Sequence, residues 1–381
     1  LYFPKVKNQM ELQRNKIQLY ANQVFVTEDV EGIVPEYLTL LHGVIDSPDI
    51  PLNVSRSYLQ SDAQVKKISN HISKKVADRL DELFRNERSL FEEKWESLKV
   101  FVQYGMLSDE KFYDRAVKFD LVTDIEGKHF TLDEYRTLTE GEQTDKEGQL
   151  IWLYTNDRNS QYTAIERAKA KGYSVLLLDG PLDVHAVSQL EQKLEKTRFV
   201  RVDSDSIDKL IAKEEQRTIQ LSDIEQKALK SLFEGRLPRE EKRNYSISLE
   251  ALGTDADAVL ITQGEFMRRM QEMARLQPGM NFYGEMPEGY NVVLNTEHPL
   301  IERLLTSEKE AVEPKLSSLR AQLQEQNELV DAARTVQSAK KPEEITAAER
   351  EELDTLTSKQ AEIEGKISEE IKKFGAEEML V

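Results

Sequence analysis

The chain has 381 residues, no cysteine, and 52 Lys and Arg against 70 Asp and Glu, for a formal charge of -18. A disulfide framework and a thiolate zinc site are excluded, and the acidic balance disfavours partnership with nucleic acid or an anionic membrane surface. The length predicts two or three domains, each able to bury its own core.

The opening LYFPKVKN has no methionine, basic n-region or long apolar run. It predicts neither a signal peptide nor a membrane span, and it reads as cut from a longer chain. None of His42, His71, His129, His185 and His298 lies in an HExxH pair, so no metal site is predicted. A reducing cytoplasm fits the absence of cysteine.

Residues 1–105 read as one α/β module, incomplete at its start. IQLYANQVFV (17–26) reads as a strand and VPEYLTLLHGV (34–44) as a helix after Pro35. The stretch VIDSPDIPLNVSRSYLQ (44–60) is turn-rich, because Pro48 and Pro51 fix φ and remove donors. Ser61 with Gln64 forms a capping box for a helix over 62–84, with Val65, Ile68, Ile72, Val76, Leu80 and Leu83 as its apolar stripe. Arg56 sits at the base of that helix, where a planar charged fork can point outside the domain; a surface arginine paired with a carboxylate is the plainer reading. A second helix over 87–104 carries Phe91, Trp95, Leu98 and Val102, with Gly105 as its stop.

Residues 106–145 read as a helical connector, with Ser108 as one cap and Thr131 or Asp133 starting a further helix. Residues 146–210 carry the clearest fold signal. GQLIWLYT, YSVLLLD and RFVRVD alternate with two amphipathic stretches, which predicts β-α-β-α-β and a small parallel sheet. The turn LDGPLD lacks dinucleotide-fingerprint spacing, and no GxxxxGK[ST] loop occurs anywhere. This unit therefore reads as a structural and docking module.

Residues 211–240 read as a helical linker capped by Asp223 with Gln226. Residues 241–381 read as a last domain with strands at YSISLEAL, DAVLITQ and YNVVLN. Between them, GEFMRRMQEMARL places Phe266, Met267, Met270, Met273 and Leu276 on or beside one helix face. Methionine adapts to many partner shapes; burial of that face on YNVVLN is the competing reading. From about 302 to 374, two apolar seams flank SAKKPEEIT, whose Pro342 breaks the helix. They predict an antiparallel helical hairpin that could also serve self-association. The fold class expected is α/β and α+β multidomain: two α-β-α sandwich modules joined by a helical connector, then a mixed α+β C-terminal domain with the long hairpin.

Taken together, LYFPKVKN, the long run from Asn15 to Gln60 and EFMRRMQEM…MNFYGEMPEGYNVVLNTEHPLI resemble the bacterial branch of the 90-kDa heat-shock chaperone family. The resemblance covers nearly the whole chain. It implies the family's middle domain and part of its C-terminal domain, without the N-terminal nucleotide domain and the terminal dimerisation helices. It implies a parent that is an ATP-dependent homodimeric chaperone of the cytoplasm, acting on unfolded or partly folded client proteins in protein folding and the stress response. ATP and Mg would be bound by the absent N-terminal domain, with none bound by this chain, which alone would not hydrolyse ATP.

By the same resemblance, Arg56 falls on the arginine that reaches the terminal phosphate of ATP, and Gln60 on the glutamine that assists it. Asn53 and Ser55 shape that loop. Phe266, Met267, Met270, Met273 and Leu276 fall on a client-facing helix, and Trp152 is a further candidate for client contact. The alternative is a structural protein-interaction module with no role in ATP hydrolysis, working through the hairpin.

Overall fold

The computed structural model describes residues 1–3, 17–28, 30, 33–39, 41–48, 63–213, 217–238, 240–276, 287–341 and 344–378. They divide into two units, Leu1–Lys213 with Arg268–Gly284 and Glu214–Met267 with Glu285–Val381. The architecture is mixed α/β, with eleven α-helices and four small sheets among the described residues.

In the first unit, the stretch 17–26 is two strands rather than one. β1 (Ile17–Ala21) and β2 (Val24–Thr27) are antiparallel. They are joined by Asn22 and Gln23, at φ 51° and 65°. Two consecutive left-handed residues make the hairpin turn whose twist matches the flanking strands. Gln23 is held there by its N–H, which donates to the Asp46 carboxylate at 3.2 and 3.3 Å. β3 (Gly43–Asp46) pairs in parallel with β1. The helix expected over 34–44 is only a 3-10 turn, Glu36–Leu38, because the chain must be extended again by Gly43 to join β1.

α1 (Ala63–Asn86) and α2 (Arg88–Ser108) share one apolar cluster with β1. Phe91, Trp95, Leu98 and Val102 are buried, as their spacing predicts. Gly105 does not stop α2. A Cβ there would lie 2.6 Å from the Phe112 ring and 2.9 Å from that of Tyr37, so the glycine admits close aromatic packing. Asp109, not Ser108, caps α3 (Glu110–Ala116) by accepting from the Lys111 and Phe112 N–H groups; Ser108 is still helical.

β4 (Leu121–Thr123) and β5 (His129–Thr131) form a hairpin. α4 (Leu132–Gln143) starts from Thr131, whose capping box with Glu134 is complete. Then come β6 (Leu150–Thr155), α5 (Tyr162–Ala170), β7 (Val175–Leu177), α6 (Asp183–Lys193) and β8 (Thr197–Arg201). The sheet is parallel in the order β7-β6-β8, with β6 central and buried along its length. Its near-unbroken apolar sequence is what a strand covered on both faces requires. α7 (Ile207–Leu210) follows.

In the second unit, α8 (Asp223–Glu234) is capped by Ser222 and Glu225 rather than Asp223 and Gln226. The hydroxyl wins because Glu225 reaches back to the Ser222 N–H at 2.8 Å and also takes Lys309 at 2.6 Å, which holds its carboxyl down at about 2. β9 (Arg243–Glu250) and β10 (Val259–Thr262) flank β11 (Glu288–Asn295), parallel and antiparallel respectively. α9 (Glu265–Leu276) lies between β10 and β11 in sequence, and from Arg268 onward it belongs to the first unit. α10 (Pro299–Ser338) has Pro299 in its first turn and runs on through Pro314. α11 (Ala347–Glu378) packs against it in the opposite direction: Gln337 donates to the Glu349 carbonyl at 2.6 Å and Gln326 to that of Leu356 at 2.8 Å. The glutamines that interrupt the apolar seams are thus bonded, Gln360 to Asn327 at 2.8 Å. Pro342 and the Ser61 cap lie outside the described residues. Among the described residues, no helix is long and apolar enough to cross a membrane.

One buried charge stands out in the first unit. Asp183 accepts from Lys99 at 2.8 Å, from Gln103 at 2.7 Å and from the Gly180 N–H at 2.7 Å. Nearby Asp120 is buried, and among the described residues its Oδ1 has no partner. Burial pushes its carboxyl up to about 7, with Lys99 opposing and Asp183 adding to the rise. A folded pKa above the unfolded one means a stability contribution present in full below about 4 and lost as pH rises through about 7. Asp120→Asn is therefore expected to stabilise the chain at pH 8 by about 1–4 kcal/mol and to leave stability near pH 4 unchanged. Chemical denaturation at the two pH values checks this; an equal effect at both contradicts it.

Candidate functional site

Asn53, Ser55, Arg56 and Gln60 lie outside the described residues. The candidate site that the structure does describe is built on β6, β8 and α9. It begins with strand alternation. On β8, Thr197, Phe199 and Arg201 share the buried face, so a guanidinium ends a row that otherwise feeds a core. Arg201 is only 2% exposed. Its charge is met by Glu272, whose two oxygens accept from Arg201 Nη1 and Nη2 at 2.8 Å each. Asn156 Nδ2 adds a third donor to Glu272 at 3.1 Å. Arg201 also donates to the Tyr154 hydroxyl at 3.3 Å and lies 5.3 Å from that ring's centroid. Bidentate arginine–carboxylate pairing of this kind fixes direction as well as charge.

Two further pairs flank it. Arg268 donates through both terminal nitrogens to Asp203, at 2.9 and 2.7 Å. Arg269 donates to Glu191 at 2.7 Å and to the Phe199 carbonyl. Glu191 also accepts from the Phe199 N–H at 2.7 Å, so the end of α6, the edge of β8 and α9 share one network.

A cleft of about 280 Å³ opens beside these groups, lined among others by Tyr154, Asn156, Leu178, Asp183, Val187, Arg201 and Glu272. It lies past the carboxyl ends of the parallel strands, where the strand order reverses, the usual place for a ligand in an open α/β sheet. The Gly180 N–H is turned inward to Asp183, and Glu272 already occupies Arg201.

The five residues of the methionine helix are distributed as follows. Phe266 is 72% exposed, Met267, Met270 and Met273 are half-buried, and the Leu276 side chain lies outside what is described. At about 100° per residue, Phe266, Met270 and Met273 form one face of α9. Arg268, Arg269 and Glu272 form another, about 120° round the helix. The face seated on the first unit is the charged one. Sequence reasoning missed it because a charged helix flank ordinarily faces water. The available signal was the pairing of Arg-Arg-x-x-Glu in the helix with an arginine at the inward position of RFVRVD. Trp152 does not reach a surface: it is 0% exposed, and its Nε1–H donates to Thr139 Oγ1 at 3.0 Å. It packs between Tyr135 and Phe199, which corrects its reading as a client contact.

The family profile described as "Hsp90 protein" matches residues 1–379. Chaperone protein HtpG of Porphyromonas gingivalis is 61% identical over 381 residues, covering 100% of this chain and 56% of that protein. Chaperone protein htpG of Bacteroides fragilis is 54% identical over 363 residues, 95% of this chain and 53% of that one. Chaperone protein HtpG of Methylococcus capsulatus is 32% identical over 335 residues, 84% of this chain and 50% of that one. The chain thus spans about half the length of these curated relatives.

The opposite placements of the two aromatics give a direct check. Trp152→Ala is expected to cost about 3–5 kcal/mol of stability, and Phe266→Ser less than about 0.5 kcal/mol. Denaturant midpoints of the two variants measure both, and a large loss at Phe266 contradicts its exposure.

Proposed function

Since the chain belongs to the Hsp90 family, we propose that it is part of an ATP-dependent molecular chaperone, supplying Arg56 for hydrolysis and the methionine face of α9 for client proteins. The observation that carries this reading is identity of 61% across the whole chain with a relative named as a chaperone. The exposed Phe266 and the charged seat of α9, which leaves its apolar face turned elsewhere, support the client-binding part.

In this reading ATP and Mg are held by a separate N-terminal domain. The chain alone is then inactive in hydrolysis. The γ-phosphoryl group gathers charge in its transition state, and a bidentate cation meets that charge. Arg56 is the residue assigned to this, with Gln60 assisting and Asn53 and Ser55 shaping the loop. Carriage of the cation on a separate domain makes hydrolysis depend on closure.

The proposal also includes the layered organisation expected of the family: an α-β-α sandwich over 1–105, a helical connector over 106–145, and a smaller sandwich over 146–210. A helical linker over 211–240 and a C-terminal domain over 241–381 complete it. The full-length protein is a cytoplasmic homodimer, with unfolded or partly folded polypeptides as its partners.

Arg56→Ala in the full-length protein is expected to lower ATP turnover at least about tenfold while leaving the nucleotide dissociation constant within about threefold. Steady-state turnover and nucleotide titration test the two halves. Unchanged turnover contradicts the role of Arg56.

A further inference from the structure

Three ion pairs join α9 to the first unit. Among the described residues, none of Phe266, Met267, Met270 and Met273 belongs to any of the four apolar clusters. Arg268, Arg269 and Glu272 each have an oppositely charged partner in the first unit. We infer that these three pairs are an electrostatic latch, which seats Arg268–Met273 on β8 and α6 and whose opening releases the helix that carries the half-buried methionines. The consequence for unfolded protein rests on the client-binding reading above; the latch itself does not.

The order of signs supports a latch of fixed register. The helix presents two cations and then an anion, and the first unit presents Asp203 and Glu191 to the cations and Arg201 to the anion. A helix shifted or reversed along this surface meets like charges, which penalises other seatings. The arginines are largely shielded, with side chains 3%, 11% and 14% exposed, while their carboxylate partners are 23–25% exposed. Shielding strengthens the pairs, and water at the carboxylates leaves them open to screening by salt. Opening also leaves Arg201 buried without its carboxylate, a cost that favours closure. The result is an element with a seated and a released state, and with Met267, Met270 and Met273 half-covered in the seated one.

The chain has no cysteine, so two can be added cleanly. Spin labels on Tyr162→Cys, at an exposed position, and on Met273→Cys, in the part of α9 that belongs to the first unit, report the seating of α9 as a distance distribution. At about 50 mM salt one narrow distribution is expected; about 0.5 M salt, which shortens the screening length to a few ångströms, broadens it. Asp203→Arg broadens it at low salt, and Asp203→Arg with Arg268→Asp restores it. The salt titration needs no charge variant and stands if one fails to fold. Distributions indifferent to salt and to Asp203→Arg overturn the latch. Capture of a reduced, unfolded test protein by the unlabelled chain, with and without Asp203→Arg, separates the two readings. Tighter capture, by about threefold or more, supports both. Release without any change in capture upholds the latch and removes the client-binding reading of the methionine face.

Discussion

A buried guanidinium is tolerable only if something answers its charge. Arg201 sits on the inward face of a sheet strand, 2% exposed, and Glu272 answers it with two oxygens. That pairing decides which side of α9 is seated. A helix bound by its methionines would turn the arginines outward, whereas one bound through Glu272 must present Arg268 and Arg269 to Asp203 and Glu191. The helix thereby divides into a charged face paired with the first unit and a face that carries the exposed Phe266 and the half-buried methionines.

The same logic explains why methionine suits the other face. A side chain committed to a core is selected for shape, and branched aliphatics serve that best. A face covered only in part, and uncovered in exchange for other partners, gains from flexible, polarisable side chains. For a member of the Hsp90 family, this gives the proposed client contact a physical basis beyond similarity. It also makes the proposed chaperone cycle sensitive to charge at two separate places: at Arg56, in the role proposed for it, and at α9, facing its seat.

Some of this was written plainly in the residues. The apolar run at LIWLYT, with helical stretches on either side, can be satisfied only by a strand covered on both faces, and the parallel sheet follows. Other features depend on groups far apart in sequence. The turn at Asn22 and Gln23 lacks the usual glycine because Asp46 supplies the bond that holds it. Gly105 looks like a helix stop until the rings of Phe112 and Tyr37 are placed over it. The Ser222 cap displaces the expected Asp223 because Glu225 answers both the helix end and Lys309. The candidate site was the least legible part. Each of its charges, taken alone, reads as a solvated surface group, and only the fold brings Arg201 within reach of Glu272. The residues assigned to phosphate contact lie outside the described residues.

The central claim is that pairing between Arg201 and Glu272, rather than apolar contact, keeps α9 in its seat. A double-mutant cycle of Arg201→Gln and Glu272→Gln, read as the seated fraction of the helix, tests it most directly. The account predicts that each single change unseats the helix, that Glu272→Gln is the worse because it strands the buried cation, and that the double variant recovers part of that loss, with a coupling of about 1–3 kcal/mol. Strictly additive effects, or a helix still seated in both single variants, would contradict it.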